Sequence, residues 1–566
     1  MGHIRNKVLF FTTSPRTPVK MIPEIKLLVE KFNGCVWNEA TQEQFAIGLK
    51  DSDFFAGSTS ASESALSARD RITRAPKALG FVDLKPKITI TEAGTSFVYG
   101  KRPQEIFLRQ LLKFQLPSPY HKEVEAIEGT FYVRPYLEIL RLVRELEYIT
   151  FDELKIFAVQ LTDYRNFDQI KSKIIAFRFE RERNKGTYKK FVNDVLTNVI
   201  IEIHDDRINK GKIKTRESAE VSLKKFINTQ RNNMRDYADA CFRYLRYTEL
   251  ISISHKSRTI SFSPEKLLEV DHILSTVERK PVYVDDLTAY KAHLFSASIP
   301  ELYGDIKDNI LDSLMRLGTF TKLELIDQNL EDLKNLRDQI INERKEAVII
   351  EQVNKIKSYE LYSDIIKTYS EIMSKEIFDA PLMLEYNTWR AMTMLNGGDI
   401  KGNFKFDDIG QPLSTAQGNL PDIECDYGDY ALSVEVTMQS GQRQYETEGE
   451  PVARHYGQLK KRTGKNTYCL FIAPTINLAS LSHFFAINQI RIGYYGGKTQ
   501  IIPLELRQFI QLVEASYNFQ NNKNKQPNPQ DIQMFLDGII AQIENSDDEL
   551  EWKQSIQTCV EQWLTK

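Results

Sequence analysis

The chain has 566 residues, 42% of them hydrophobic and 27% charged, with a formal net charge of −2. That length suits several globular domains, and that balance excludes a nucleic-acid binder driven by bulk basicity, although basic domains joined to an acidic one would also sum to near zero. Five scattered cysteines (Cys35, Cys241, Cys425, Cys469 and Cys559) form no CxxC pair and no zinc spacing, so neither a disulfide framework nor a zinc finger is supported. No apolar run is long enough for a bilayer and the N-terminal VLFF is too short for a signal-peptide core, so a cytoplasmic chain with no membrane partner is expected.

Residues 8–13 read as an apolar strand, followed by SPRTPVK, where two prolines hold Arg16 on an extended loop. An arginine on a stiff loop loses little entropy on docking and suits a phosphate or base contact. Residues 63–75 read as a helix bearing Arg69, Arg71 and Arg74, with Lys77 just beyond. A break at Gly80-Phe81-Val82 and a strand over KITITEAG follow, so a basic helix leads into a small wing, as in a winged helix-turn-helix. Residues 106–114 and 136–146 have helical spacing, and RFERERNKGTYKK, residues 178–190, reads as a solvated helix end. The first layout then recurs. Residues 229–247 form a helix with Arg231, Arg235, Arg243 and Arg246, running into ISIS and TISF as a hairpin. Residues 265–380, rich in Leu, Ile and mixed charge, read as a helical connector whose charges face water.

From residue 381 an α/β domain is expected: a helix over 382–395 with Glu385 and Trp389, a strand over NTYCLFIA that is buried on both faces, a strand near 501–506 and a helix after it, with Trp552 and Trp563 packing the tail. Its centre is PDIECDYGDYALSVEVT, residues 421–437. Gly428-Asp429 is a two-residue hairpin signal. The register it sets opposes Cys425 to Leu432, Ile423 to Val434 and Asp422 to Glu435. Opposed Cβ atoms lie roughly 4.5–5.5 Å apart, so two carboxylates there repel unless a proton or a cation joins them. A divalent metal is one such cation. An amphipathic hairpin with its acids in water is the alternative, and it needs no chemistry.

Glu385, Pro421-Asp422, Glu435-Val436-Thr437, Glu448 and EPVARHY together resemble the cleavage domain of the AlwI family of type IIS restriction endonucleases and of their site-specific nicking relatives. TTSPRTP, SARDRI with GFV and ITEAG, and RDYADA with RYLRYT resemble the front half of that family. The resemblance implies a bacterial enzyme of multidomain α+β fold. Its mainly helical front half would hold two winged-helix-like DNA-recognition subdomains, residues 1–150 and 151–264. A helical linker (265–380) and a PD-(D/E)xK nuclease domain (381–566) would follow. It also implies Mg²⁺ on Asp422 and Glu435, a catalytic set of Glu385, Asp422, Glu435, Glu448 and His455, and double-stranded DNA as partner. The DNA would be held by Arg16, Arg69, Arg71, Arg74, Lys77, Arg231, Arg235 and Arg243. Thr437 stands where the general nuclease motif has lysine, so His455 or Lys460 is expected to take over that task. One acidic set per chain leaves the second strand to a second copy or a small subunit. Cleavage of both strands, nicking of one strand, and a non-catalytic winged-helix regulator are the readings in play.

Overall fold

The structure, a computed structural model, describes residues 2–4, 6–52, 54, 64–125, 128–184, 186–215, 220–318, 320–395, 398–407, 410–414 and 420–564. Backbone contacts gather the chain into two compact units, residues 1–51 with 59–337 and residues 52–58 with 338–566.

The first unit is mainly helical. It includes α1 (Ser64–Thr73), which carries the SARDRI arginines, α2 (Pro135–Leu146), buried on most sides, and α3 (Leu223–Tyr247), the long basic helix. Ser222 caps α3 by accepting from the Lys225 N–H, and Met234, Ala238, Cys241, Phe242 and Leu245 recur at three- and four-residue spacing as its buried stripe. Strands β1 (Tyr148–Thr150), β2 (Ser252–Ser254) and β3 (Thr259–Ser261) form an antiparallel sheet in the order β1-β3-β2. The expected ISIS–TISF hairpin is therefore present and gains a third strand from the end of α2. The earlier hairpin is smaller, Val82–Asp83 against Thr89–Ile90. The TEAG half of KITITEAG instead opens a helix, Glu92–Tyr99, whose N-cap Thr91 accepts from the Gly94 N–H at 2.9 Å. A Cβ at Gly94 would run into the Phe81 carbonyl, so GFV and ITEAG are joined by close backbone packing.

Two expectations about this unit are corrected. Residues 8–13 form no strand; Leu9 is fully buried and donates its N–H to the Val159 carbonyl at 2.6 Å as extended chain. Residues 265–337 are no water-facing connector but part of the first unit. Arg279 grips the fully buried Glu138 at 2.7 and 2.8 Å, Arg144 pairs with Asp271 at 2.8 Å, and Arg109 pairs with Asp305 at 2.7 Å. The mixed charge of this stretch serves partners contributed much earlier in the chain.

The second unit contains α4 (Ala380–Leu395), β4 (Asp399–Gly402), β5 (Ile423–Asp426), β6 (Tyr430–Val436), α5 (Gln442–Thr463), β7 (Asn466–Ala473), β8 (Ile501–Glu505) and α6 (Leu506–Lys523). Its sheet runs β8-β7-β6-β5-β4. The β4–β5 and β5–β6 pairs are antiparallel, and the β6–β7 and β7–β8 pairs are parallel. Parallel neighbours need crossover helices, and α5 is the crossover from β6 to β7. It lays Val452, Ala453, Tyr456 and Leu459 on the sheet. Strand β7 is buried along its length except at Asn466, as its apolar run predicts, and Trp552 and Trp563 are buried in the tail.

Candidate active site and nucleic-acid interface

The hairpin folds in the register its turn dictates. Gly428 adopts φ +86°, and the Tyr427 N–H reaches the Tyr430 carbonyl at 3.1 Å. Ile423 faces Val434 and Cys425 faces Leu432. One residue before the paired strand, the Asp422 carboxylate accepts the Val436 N–H at 2.7 Å, directly after Glu435. Its own carbonyl accepts from the Asn403 N–H at 2.9 Å, which fixes the start of β5.

The acids of the hairpin divide: Asp426, near the turn, is exposed and pairs with Lys465 at 2.6 Å, as the alternative reading of a wet face expects, whereas the end next to Asp422 is covered. Glu435 is 7% exposed and Ser433 is fully buried, because α5 crosses this face of β6. From α5, His455 Nδ1 lies 2.8 Å from Glu435 Oε1. The Thr437 hydroxyl donates to Glu448 Oε1 at 2.9 Å and accepts from the Gln439 N–H at 3.1 Å. Glu448 and His455 stand two helical turns apart, so one face of α5 presents both to the strand. Four of the five expected catalytic residues, Asp422, Glu435, Glu448 and His455, are thus brought together.

Electrostatically the site is under-neutralised. Burial, then the neighbouring Glu435 and Glu448, push the Asp422 carboxyl well above the usual carboxylate range, against the pull of the Val436 N–H and His455. Glu435 is also pushed well up, by burial and then Glu448, with Arg454 opposing. Burial raises Glu448 despite its bonds to Thr437 and Thr447. Burial and the adjacent Arg454 lower His455 to about 4, so its imidazole is neutral near pH 7. His455 Nε2 is buried and has no hydrogen-bond partner among the described residues.

Clustered carboxylates that each hold a proton too tightly are matched to a hard divalent cation, which Mg²⁺ or Ca²⁺ would be. Among the described residues no three His, Cys, Asp or Glu side chains close tightly enough to enclose an ion. A Mg²⁺ ion keeps several waters and needs only one or two protein carboxylates. Asp422 and Glu435 fit that demand. Glu385 is buried on α4, which packs against β6. Lys460 donates to the Tyr456 hydroxyl and the Lys498 carbonyl, both at 3.4 Å, so the structure does not bring it to the acids. Arg454, named in the sequence only as part of EPVARHY and given no role there, pairs with Glu450 at 3.3 Å and also acts on both Glu435 and His455. Its place next to His455 in EPVARHY was the available signal.

The basic residues of the first unit divide into two groups. Arg16, Arg69, Arg74 and Arg235 have side chains 54, 43, 51 and 59% exposed. Asp236 pairs with Arg16 and Arg235 at 3.5 and 3.4 Å, and Asp70 with Arg69 and Arg74 at 3.3 and 2.5 Å. The loop after residue 13 joins these pairs. The Ser14 carbonyl accepts the Ala75 N–H at 3.2 Å, and the Pro15 carbonyl accepts from the Tyr244 hydroxyl of α3 at 2.8 Å. TTSPRTP, SARDRI and RDYADA therefore meet in one place, although more than two hundred residues separate the first from the last. The other four turn inward. Arg71 pairs with buried Glu24, Arg243 with Asp239 at 2.9 Å, Arg231 donates to Thr197 at 2.9 Å, and Lys77 lies 5.0 Å over the Tyr120 ring. Arg246, on the buried stripe of α3, is 4% exposed.

No curated protein matches the chain. Among solved structures, it is similar to the small subunit (R.BspD6I2) of the heterodimeric restriction endonuclease R.BspD6I, with 27% identity, 35% of this chain and 98% of that chain covered, and a TM-score of 0.29. It is also similar to the BpuJ1 endonuclease binding domain, solved in complex with pyrene- and phenanthrene-modified DNA, with 15% identity, 52% and 97% covered, and a TM-score of 0.31. A family model of AlwI restriction endonucleases matches residues 77–512, from Lys77 through the hairpin, α5 and β8 into α6. With more than half of its length inside that match, the chain belongs to the AlwI restriction endonuclease family and is a DNA-cleaving endonuclease.

Proposed function

We propose that the chain is a Mg²⁺-dependent type IIS endonuclease: it binds a short asymmetric duplex site and hydrolyses phosphodiester bonds a short fixed distance outside it. The observation that carries this reading is the convergence of Asp422, Glu435, Glu448 and neutral His455 on one buried face. In this reading residues 1–337 recognise DNA and residues 338–566, a PD-(D/E)xK-type unit, cut it. The order β1-β3-β2, with α3 leading into the β2–β3 hairpin, supports a winged-helix reading of residues 151–264, as the smaller hairpin at 82–90 does less fully for residues 1–150.

Asp422 and Glu435 would hold the metal, and Glu385 would add a carboxylate from α4. When bound, Mg²⁺ supplies charge to offset that of the phosphorane-like transition state and makes water more acidic. The chain's own residues do the rest. The Val436 N–H fixes the Asp422 carboxylate, and Thr437 fixes Glu448. With Glu435 ionised, His455 donates from Nδ1 to Oε1, which leaves the Nε2 lone pair to accept a proton from an attacking water. Arg454, which pairs with Glu450 at 3.3 Å, adds positive charge near Glu435 and would ease the approach of an anionic phosphodiester.

One acidic centre per chain meets two antiparallel strands, so the first product is a nick. The second cut needs another copy or a small subunit. Digestion of supercoiled plasmid with Mg²⁺, followed by run-off sequencing of both strands, tests this. Cuts at one offset from a common asymmetric sequence are expected. Open circles that never become linear would make the chain a nicking enzyme or large subunit, and DNA bound but uncut in Mg²⁺ would support the non-catalytic regulator instead.

A further inference from the structure

The run RFERERNKGTYKK has no role in the site above. It spans the end of one helix, Phe167–Arg183, and the start of the next, Tyr188–Ile203. Every described residue from Phe179 to Lys190 is exposed, and the run carries six basic residues against two acidic ones, Glu180 and Glu182. Solvated helix ends are common, but this one also exposes aromatic rings: Phe179 at 53%, Tyr188 at 40% and, beside them, Tyr148 at 40%. Each ring carries a guanidinium. Arg178 lies 4.1 Å over Tyr148, Arg181 4.5 Å over Tyr188 and Arg183 4.0 Å over Phe179.

The base of this corner is fixed. Arg178 is clamped to Glu153 at 2.7 and 3.0 Å, and the Tyr188 hydroxyl donates to Asp152 at 2.9 Å. Its outer cations are free to engage a ligand: no ion pair among the described residues holds Arg181, Arg183, Lys189 or Lys190. A guanidinium held over a ring is partly ordered already, so its N–H edge loses little further freedom when it meets a planar or tetrahedral oxyanion. Several such edges with a net positive charge match the repeating phosphates of a nucleic-acid backbone rather than one small anion.

We propose that this corner is a second DNA contact, which grips duplex phosphates without reading bases and is built from residues other than Arg16, Arg69, Arg74 and Arg235. The inference rests on the reading of the first unit as DNA-binding. The test is fluorescence anisotropy of the full chain with a mixed-sequence duplex across a salt series. The chains compared are wild type, the double substitution Arg181→Gln with Arg183→Gln, Phe179→Ser, and Arg69→Gln with Arg235→Gln. Loss of two phosphate contacts is expected to reduce the slope of log K against log salt by about 1.8 and to weaken binding roughly tenfold near physiological salt. Phe179→Ser, which removes a ring but no charge, should weaken binding less. The exposed positions leave the melting temperature unchanged. An unchanged slope and affinity for the 181/183 variant, while the 69/235 variant is weakened, overturns the corner and leaves the DNA-binding reading standing. No duplex binding by wild type removes both. If the 181/183 variant binds DNA normally but shifts the sedimentation of the chain, the corner is a protein contact and the proposal fails.

Discussion

His455 Nδ1 stands 2.8 Å from Glu435 Oε1, a bond between the crossover helix and the central strand that leaves Nε2 buried with no hydrogen-bond partner among the described residues. Because His455 is lowered to about 4, this bond needs no charge on the imidazole at neutral pH. His455→Ala is therefore expected to lower the single-turnover cleavage rate by about 10²–10⁴ while duplex affinity stays within a few-fold. A rate within a few-fold of wild type would remove His455 from the proton-transfer role.

Thr437, which the resemblance sets where the general nuclease motif has lysine, donates to Glu448 at 2.9 Å, and in the proposed mechanism it is a positioning residue. Thr437→Val keeps the shape and removes the donor. Outer-shell changes of this kind cost about 10–100-fold in metal affinity or activity. A Mg²⁺ titration of cleavage should show the loss, and an unchanged titration would mean that Glu448 needs no such support.

Arg454 opposes the rise of the Glu435 carboxyl. Removing the cation lets Glu435 hold its proton to higher pH, and in the proposed mechanism cleavage needs the ionised carboxylate. Arg454→Met should accordingly move the acidic limb of the pH–rate profile to higher pH, and Arg454→Lys should bring it partly back. An unmoved limb with a lower plateau would assign Arg454 to substrate binding alone.

The same acids make the metal-free protein less stable as pH rises. Their folded pKa values lie above those of the unfolded chain, so the folded state binds more protons, and stability falls as pH climbs from the ordinary carboxylate range upward. In chelator, the melting temperature of wild type relative to Asp422→Asn should fall from pH 5 to pH 8 at a rate set by about 1.4 kcal/mol per tenfold change in proton affinity, a difference that cancels the opposite trend of buried His121, His204 and His293, and Mg²⁺ or Ca²⁺ should reverse part of the fall. A flat profile without metal would mean that the carboxyls are not crowded as described.

The arginines should separate by orientation. Arg235→Gln and Arg69→Gln are expected to reduce the salt slope of DNA binding by about 0.9 each. Arg243→Gln, whose native side chain is 19% exposed and bonded to Asp239, should instead lower melting temperature and leave the slope unchanged. The reverse pattern would relocate the interface.

What the sequence made legible is what local rules decide. A Gly-Asp turn sets the register of its hairpin, so the neighbourhood of Asp422 and Glu435 could be read, and the apolar run of residues 466–473 announced a doubly covered strand. The burial of Ser433 and Glu435 was not legible, because α5 arrives after the strand ends and its approach is a tertiary event. Nor was the membership of residues 265–337 in the first unit, which depends on pairs such as Glu138–Arg279 between distant segments. Arginine orientation on α3 was partly available. Arg246 falls four residues after Phe242 on the buried stripe, so its burial follows from helical spacing. The inward turn of Arg231 depends on Thr197 of another helix and does not.

The central claim is that the Asp422 and Glu435 carboxylates together make the cutting centre. The most direct measurement compares Asp422→Asn with wild type for Mg²⁺-dependent cleavage of supercoiled plasmid, with duplex affinity and melting temperature read on the same preparations. Cleavage should fall below detection, with affinity retained and metal-free melting at pH 8 unchanged or higher, since the amide keeps an acceptor for the Val436 N–H and sheds a crowded charge. Cleavage at the wild-type rate by the folded variant would contradict the account.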